Sequence, residues 1–446
     1  MPRCGFLLEI GKGQAKLQGA ADGQVEMQPA GFAEGIFGGL AAQFGAGGEK
    51  DRVVHFPAAD GNGALHHAAG GGARTLADPE FGGVAHDVCS AIHPMALASP
   101  FFREFGLADR IGLTVPALSY ANPLSGRPAL LAYRDLERTC AELSHPDSWR
   151  ALFAPLTASP TAAAEVMLSD KRSVPPHPVL AARLGLRVGA QGSPAWRLLR
   201  GDDARALFAG VAAHAVSPLP SLPAAGLGTV LAALAHTVGW PVPIGGSQAI
   251  ADALLDDFAR HGGELVLGQP VTTPPPGVVI FDTPARALLD IYGDRLPPRY
   301  AAALRRLRYR SGVAKVDFVL SGDIPWADPR LAEVAMFHLG GDRDQMAAAE
   351  SAVAAGRHAE HPMVLGASPH VGDPGRIDDR GRRPFWTYVH VPHGSPVDQA
   401  EAATATVERF APGFRDVVLA VRSVPAPQMA EHNANLVGGD ITGGGN

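Results

Sequence analysis

The sequence has few cysteines and no long apolar run. Its three cysteines, Cys4, Cys89 and Cys140, include no CxxC pair. A sparse, odd set argues against a disulfide framework and is typical of a reducing, cytoplasmic compartment. No stretch is apolar enough to span a bilayer, and the N-terminus lacks the pattern of a signal peptide. We therefore expect a soluble, cytoplasmic protein. Peripheral contact with a membrane stays open, and the oligomeric state is not indicated.

The sequence also lacks the charge and the motifs of several functional classes. Its net charge is −6, whereas nucleic-acid binding requires a basic surface. There is no GxxxxGK[ST] loop, which excludes a P-loop nucleotidase. The segment 245–249, GGSQA, lacks the second glycine of a GxSxG nucleophile elbow. Ser247 is better placed as the N-cap of a helix.

We assign no binding or catalytic function to two clusters of polar residues. The possible metal ligands His86, Asp87, Cys89 and His93 have the spacing of no known zinc finger or ribbon, so we expect no metal site. The five arginines between positions 299 and 310 are interpreted as a solvated helix face.

What the sequence does contain is enough apolar material for more than one domain. It has 446 residues, of which 46% are hydrophobic and 18% charged. Glycines interrupt every candidate helix in the first 67 residues, so we expect this stretch to be poorly ordered or not authentic protein sequence. Regular patterns begin near residue 70.

The patterns after residue 70 predict an α/β layer followed by antiparallel strands. Residues 95–110 and 134–156 are expected to be helical with short loops. Further helices are expected at 248–261 and 397–410, and another begins at Thr283-Pro284. Ile250, Leu254 and Phe258 share one face of the 248–261 helix, which Gly262-Gly263 ends. Strands are expected at 264–267, 278–281, 316–320 and 385–391. The run 278–281 is apolar throughout, which favours burial on both faces.

Three segments together resemble the FAD-dependent oxidoreductases of the phytoene dehydrogenase and flavin amine oxidase group. The first is GGGART at 70–75, followed by FGGVAHDVCSAIHP. The second is WPVPIGGSQ at 240–248, followed by GGELVLGQPV and VVIFDTPA. The third runs from VDFVLSGDIPW through FWTYVHVPHG to NANLVGGDITGG. Each motif alone is weak, and the ordered set, which covers about residues 68–446, is fairly specific.

The resemblance implies a cofactor, FAD, and a set of residues around it. Glycines without a Cβ allow backbone N–H groups to approach a pyrophosphate, and an arginine fork suits a phosphate or a flavin edge. The implied cofactor-binding residues are Gly70, Gly71, Gly72, Arg74, Thr75 and Val271. His93, Trp240 and Trp386 are candidates for the substrate cavity. Asp87 and Ser90 are expected to hold the turn beside the flavin. No side chain is identified as a catalytic base.

The implied fold is α/β, with an FAD/NAD(P)-binding Rossmann-like domain and an inserted substrate domain of helices and a mixed β-sheet. Residues 1–67 are left unassigned. The FAD-binding domain is expected to consist of two separate segments, 68–110 and 241–310. The substrate domain is expected to combine a helical region at 111–240 with a sheet at 311–400. Residues 401–446 are expected to form a C-terminal helix and the return to the FAD-binding domain.

The Rossmann-like domain is expected to be incomplete. Relatives begin with a strand that leads into GxGxxG, and the nearest candidate here, 34–39, matches only in its last glycine. Pro57 interrupts the short VVHF run at 53–56, and the glycine-rich stretch that relatives carry after GGDxxGG is absent.

Three functions therefore remain open. The resemblance implies an oxidoreductase that transfers hydride from an apolar substrate to FAD. A flavin amine oxidase and an inactive remnant that serves as a binding partner are the alternatives.

Overall fold

The computed structural model describes residues 71–169, 173–267 and 271–444, and three short strand segments before them. The architecture is mixed α/β: a large sheet is packed between a helical bundle and a smaller helical layer. The expectations for residues 1–67 lie almost entirely outside the described residues.

The strands include several short pairs outside the main sheet. They are β1 (Ile10–Gly11), β2 (Gln14–Ala15), β3 (Val53–His55), β4 (Thr75–Ala77), β5 (Ala85–Asp87), β6 (Leu113–Thr114), β7 (Leu118–Leu124), β8 (Arg127–Tyr133), β9 (Val242–Pro243), β10 (Glu264–Val266), β11 (Gly312–Leu320), β12 (Met336–His338), β13 (Val364–Ala367), β14 (Arg383–Val391) and β15 (Val418–Val424).

The helices are mostly short, and many begin at a proline in the first turn. They are α1 (Pro100–Phe105), α2 (Leu107–Arg110), α3 (Leu136–Glu142), α4 (Pro146–Thr157), α5 (Pro160–Leu168), α6 (Pro178–Gln191), α7 (Asp202–Ala212), α8 (Leu222–Ala235), α9 (Gln248–Arg260), α10 (Ala287–Tyr292), α11 (Pro298–Arg306), α12 (Arg343–Ala354), α13 (Ala400–Glu408), α14 (Phe414–Val417) and α15 (Met429–His432). Proline suits that position because its missing N–H would have no partner there.

The main sheet has seven strands in the order β15-β11-β14-β13-β12-β7-β8. All neighbours are antiparallel except β12 and β7, which are parallel. The sheet therefore takes strands from 118–133 and from 418–424, outside the range 311–400 that the sequence predicts for it. Residues 111–240 are not purely helical for the same reason.

The two faces of the sheet pack against different cores. One face contacts α13 and α14 through phenylalanines such as Phe318, Phe385 and Phe414. The other faces the helical bundle, with Trp386 and Tyr388 among its buried residues. Consequently β11 is buried along its whole length.

The helix at 248–261 agrees best with its sequence pattern. It spans Gln248–Arg260, with Ile250, Leu254 and Phe258 buried and Gly262 in the left-handed region at φ 77°. Strand β10 follows and pairs in parallel with β3, which lies in the VVHF run. Parallel pairing of this kind is typical of α/β domains.

Other predicted elements are wrong or interrupted. The apolar run 278–281 is not a strand, and Val278 and Ile280 are 82% and 65% exposed. It pairs with no strand in the described ranges, and prolines close on both sides limit the hydrogen bonds that it can form. The regions 95–110 and 134–156 are helical with short breaks, as predicted, at Gly106, whose φ is 68°, and before Pro146. The helix after Thr283-Pro284 begins only at Ala287.

No single helix among the described residues has the length and hydropathy of a membrane span. Only the pair α4 and α5, bent by 86° relative to each other, passes that test jointly.

Candidate functional site

The three sequence segments meet at one place, which we call the junction. It consists of residues 71–75, residues 245–248 and residues 432–433. Arg74 Nη2 donates to the carbonyl oxygen of His432 at 2.7 Å, and the backbone N–H of Gln248 donates to Thr75 Oγ1 at 3.2 Å. A Cβ at Gly71 would lie 3.6 Å from Nδ2 of Asn433. Segments more than 150 residues apart in the chain thus form one local structure.

Arg74 is buried within the junction. Its side chain is 1% exposed, and its Nε donates to the carbonyl oxygen of Gly71 at 2.8 Å, which folds the loop 71–74 around the guanidinium. Burial lowers the pKa of Arg74 from its ordinary value.

Asp87 joins the strands of the junction to the neighbouring turns. Its Oδ1 accepts from Thr75 Oγ1 at 2.7 Å and from the backbone N–H of Ser247 at 2.9 Å, and its Oδ2 pairs with Arg376 Nη2 at 3.0 Å. Burial opposes ionisation of Asp87, but the charge of Arg376 and these hydrogen bonds outweigh it, so the pKa of Asp87 is lowered. The carboxylate therefore anchors the segment 85–90 to these neighbours, and its place beside a flavin stays a prediction.

Ser247 does not cap the following helix with its side chain. Its Oγ donates to the carbonyl oxygen of Ser90 at 2.5 Å, and no cap hydrogen bond forms. Because that hydroxyl proton is used, His93 Nε2 must donate to Ser247 Oγ, at 2.7 Å. His93 is fully buried, and burial, opposed by the charge of Asp87, lowers its pKa to about 4. The structure thus places His93 in the hydrogen-bond network of the junction, and a role in the substrate cavity stays a prediction.

The remaining cofactor candidates lie at or beyond the edge of the junction. Gly71 has a φ of 51°, which favours glycine, and a Cβ at Gly72 would lie 3.3 Å from Cys89 Sγ. Burial raises the pKa of the Cys89 thiol to about 11, although Lys315 and Arg74 act in the opposite direction. Val271 is half-buried in an irregular segment. Gly70 lies outside the described residues.

A row of polar and aromatic side chains covers the sheet face that looks toward the helical bundle. In β11 and β14, Lys315 lies opposite Tyr388 and Asp317 opposite Trp386. Alternate positions of a strand share a face, so His390 lies on this side as well. Lys315 Nζ pairs with the Asp317 carboxylate, and both are only 3% exposed.

Glu350 of α12 extends this row, which we call the polar face. His390 Nδ1 donates to Glu350 Oε1 at 2.5 Å, and both side chains are completely buried. His390 Nε2, Glu350 Oε2 and Trp386 Nε1 have no hydrogen-bond partner among the described residues. Burial, reinforced by the charge of Glu350, raises the pKa of Tyr388. The polar face thus offers two acceptors, His390 Nε2 and Glu350 Oε2, and one donor, Trp386 Nε1.

The polar face lies within electrostatic range of the junction. Lys315 acts on the pKa of both Cys89 and His432, and Arg74 acts on the same two groups. Of the two predicted cavity tryptophans, Trp386 belongs to the polar face. Trp240 is 2% exposed and lies elsewhere in the same core, where its ring packs 5.0 Å from Tyr120 and its Nε1 donates to the carbonyl oxygen of Leu231.

The sequence-based prediction missed Lys315, Asp317, Glu350, His390 and Arg376. A usable signal was present for the first two, because a lysine and an acid two residues apart in an otherwise apolar strand must share a face. Arg376 and Glu350 lie in elements whose contact with the site depends on the tertiary fold alone. Within the described ranges, no group of three or more histidine, cysteine or acidic side chains is arranged to hold a metal ion.

The comparisons with known proteins found similarities of structure only. No family model matches the chain, and no curated protein sequence does. An oxidoreductase from Methanosarcina mazei is similar with a TM-score of 0.46 and 14% identity, over 79% of each chain. A triple mutant of putrescine oxidase gives a TM-score of 0.47 and 14% identity, over 82% of this chain and 78% of that one. Reduced UDP-galactopyranose mutase gives 0.39 and 11%, over 80% and 74%. These scores are too low to assign a fold or a function, so we base the function proposed next on the chain's own residues.

Proposed function

We propose that the chain is an FAD-dependent oxidoreductase that removes a hydride from a C–H or C–N bond of its substrate. The observation that carries this proposal is the junction. Three segments that resemble one group of flavoproteins, in sequence order, lie together around the buried Arg74. Unrelated turns would have no reason to converge in this way.

The residues of the junction fit the flavin side of such a cofactor. Gly71 and Gly72 bring no side chain of their own to the loop, and Arg74 supplies a planar cation next to them. Thr75 is fixed by Asp87 and therefore cannot swing away from the loop. The parallel pairing of β3 with β10 supports an α/β layer on the adenine side, where Val271 is our candidate contact. Gly70 stays a further candidate.

When bound, FAD would supply the two-electron acceptor, and the oxidised substrate would lose a hydride and a proton. The chain's own contribution is to position the substrate and to exclude water. The burial of Lys315, Asp317 and Trp386 supports a dry environment on the polar face. The carotenoid-type version of this reaction, on an apolar substrate, is the one that the sequence resemblance favours.

The polar face favours a second candidate, an amine oxidase. Glu350 Oε2, and Nε2 of His390 in its neutral form, are acceptor atoms without partners among the described residues, and they match the donor hydrogens of an amino group. The Trp386 and Tyr388 rings, 5.1 Å apart, are of the kind that surrounds a cationic or amine-bearing ligand.

Cofactor binding is tested by mixing the purified chain with FAD, removing free FAD by desalting, and recording absorbance between about 350 and 500 nm. We expect flavin bands to stay with the protein. A colourless protein would instead support the third candidate, an inactive binding protein.

The substrate class is tested with the same flavin-loaded protein under anaerobic conditions. Bleaching of the flavin bands by a primary alkyl amine, but not by an apolar polyene, would select the amine oxidase, and the reverse result the carotenoid-type enzyme. Glu350→Gln should slow bleaching by the amine about tenfold or more without releasing the flavin. An exposed acid on another helix, Glu401, provides the control substitution Glu401→Gln.

A further inference from the structure

Helix α6 of the helical bundle carries apolar side chains that are exposed on the surface. Of its 14 residues only Leu184 and Gln191 are buried. Val179 and Leu186 are 66% and 77% exposed, and Val174, just before the helix, is 87% exposed. Exposed apolar clusters of this kind on soluble proteins mark sites of interaction.

The apolar side chains of α6 form a stripe rather than a scatter. Positions 179, 182, 183 and 186 follow the i, i+3, i+4, i+7 spacing that places residues on one helix face. Val179, Ala182 and Leu186 are therefore neighbours on the exposed side, and Arg183 lies among them. Leu222, 60% exposed, continues the surface at the end of the helix, because a Cβ at Gly192 would touch it. We call this surface the α6 face.

Positive charge predominates along the α6 segment. Residues 173–200 contain four arginines and no aspartate or glutamate, although the whole chain has a net charge of −6. An acid beside the helix, Glu165, is paired with His177 at 2.9 Å. Arg183 and Arg200 are exposed, whereas Arg187 is half-buried and its Nη2 donates to the carbonyl oxygen of Ala151. Arg183 thus places an exposed cation among the exposed apolar residues.

We propose that the α6 face binds an anionic lipid surface, with Val179 and Leu186 inserted at the boundary between headgroups and acyl chains. A helix that combines exposed apolar side chains with arginines suits such an interface, since anionic headgroups attract the cations and the apolar side chains leave water. The guanidinium of each arginine can stay at the headgroups while its methylene chain lies along the apolar layer.

A second copy of the chain suits the α6 face less well. In a symmetric dimer the same patch meets itself, so the arginines of both copies would approach one another. Residues 173–200 would bring no acid to such a contact, and Glu165 beside them is already paired with His177. A phosphate-bearing bilayer satisfies both the charge and the apolar side chains. This proposal does not depend on whether the chain binds FAD.

The test is sedimentation of the whole chain with two kinds of vesicle, phosphatidylcholine alone and phosphatidylcholine mixed with phosphatidylglycerol. We expect binding to the mixed vesicles, weakened by added salt. Leu186→Glu should lower the partition coefficient about tenfold or more, and Arg183→Glu about fivefold or more. Val278→Glu is the matched control, because Val278 is 82% exposed but lies outside the α6 face. It should bind as the unaltered chain does.

Three results would overturn the proposal. They are the absence of sedimentation with the mixed vesicles, equal binding to both vesicle types, and equal effects of Leu186→Glu and Val278→Glu. Gel filtration at several protein concentrations tests the competing explanation, which is that the α6 face forms a dimer. A dimer that Leu186→Glu dissociates, in a chain that ignores vesicles, would assign the α6 face to a second copy. Thermal melting of each variant shows whether it is folded before it is compared.

Discussion

At the scale of single residues, Asp87 is the group whose removal should disturb the junction most. Its carboxylate is buried and neutralises Arg376, which is also buried. Asp87→Asn leaves the Arg376 charge without compensation, so we expect the free energy of unfolding to fall by about 3–5 kcal/mol. Asp378→Asn removes a carboxylate from a more exposed pair with Arg382 and should lower the free energy of unfolding much less. Urea unfolding of both variants measures the difference, and similar losses would show that the Asp87 pair is not buried.

His236 should make stability depend on pH. Its Nδ1 donates to the carbonyl oxygen of Tyr133, and its Nε2 accepts from Trp149 Nε1 at 3.0 Å, so the folded site requires the neutral ring. Burial lowers its pKa from 6.5 to about 4. In that interval the unfolded chain binds the proton and the folded chain does not, so stability is lost as the pH falls below 6.5.

We therefore expect His236→Gln to remove about 2 kcal/mol of the stability that the chain loses between pH 6.5 and pH 5. Denaturant unfolding at both pH values measures this loss. His261→Gln, at an exposed histidine, should leave the loss unchanged. A variant at His236 that loses as much stability as the unaltered chain would refute the assignment.

At the scale of structural elements, the connection between β9 and α9 depends on Gly246. Its φ is 98°, and a Cβ there would lie 2.3 Å from Thr75 Oγ1. Gly246→Ala should therefore cost about 2–4 kcal/mol, from backbone strain and from displacement of Thr75. Gly245→Ala provides the control, since Gly245 has a φ of 82° but open space around its Cβ, and strain alone should cost about 1 kcal/mol. Equal melting temperatures for the two variants would contradict the close approach to Thr75.

The elements that the sequence predicted well are those whose signal is local. The helix over Gln248–Arg260 has its apolar spacing and its terminal glycines within one segment, and its bounds agree with the prediction to within a residue. The strand expected at 278–281 failed because an apolar run does not specify a pairing partner. The strand Val418–Val424 was missed because its alternation is weak, and its place in the sheet comes from β11.

The site likewise combines parts that local sequence patterns predict with parts that only tertiary contacts determine. The segments around Arg74 and Ser247 could be found from short motifs, because glycines and an arginine in a fixed order leave a local pattern. The contacts of Asp87 with Arg376 and of His390 with Glu350 could not, since 289 and 40 residues separate these pairs. Only the tertiary fold brings them together, because Arg376 lies in a short turn and Glu350 in a helix.

At the scale of the whole molecule, the sheet separates two environments. One face packs aromatic residues into an apolar core, and the other carries the polar face next to the junction. Burying a polar group lowers the stability of the fold unless the group is paired. A sheet with a purely structural role would therefore be more stable with apolar side chains on this face. The Lys315–Asp317 and His390–Glu350 pairs therefore favour a binding or catalytic role for that face.

The affinity of FAD for the unaltered chain and for Arg74→Gln, followed by flavin fluorescence, is the sharpest test of the proposed cofactor site. We expect binding by the unaltered chain and a dissociation constant about tenfold or more higher for Arg74→Gln, because a charged donor at the cofactor is lost. Arg330→Gln, at an arginine that pairs with Glu142 and Asp328, should bind as the unaltered chain does. Absence of FAD binding, or equal affinities for the two variants, would contradict a cofactor site at the junction.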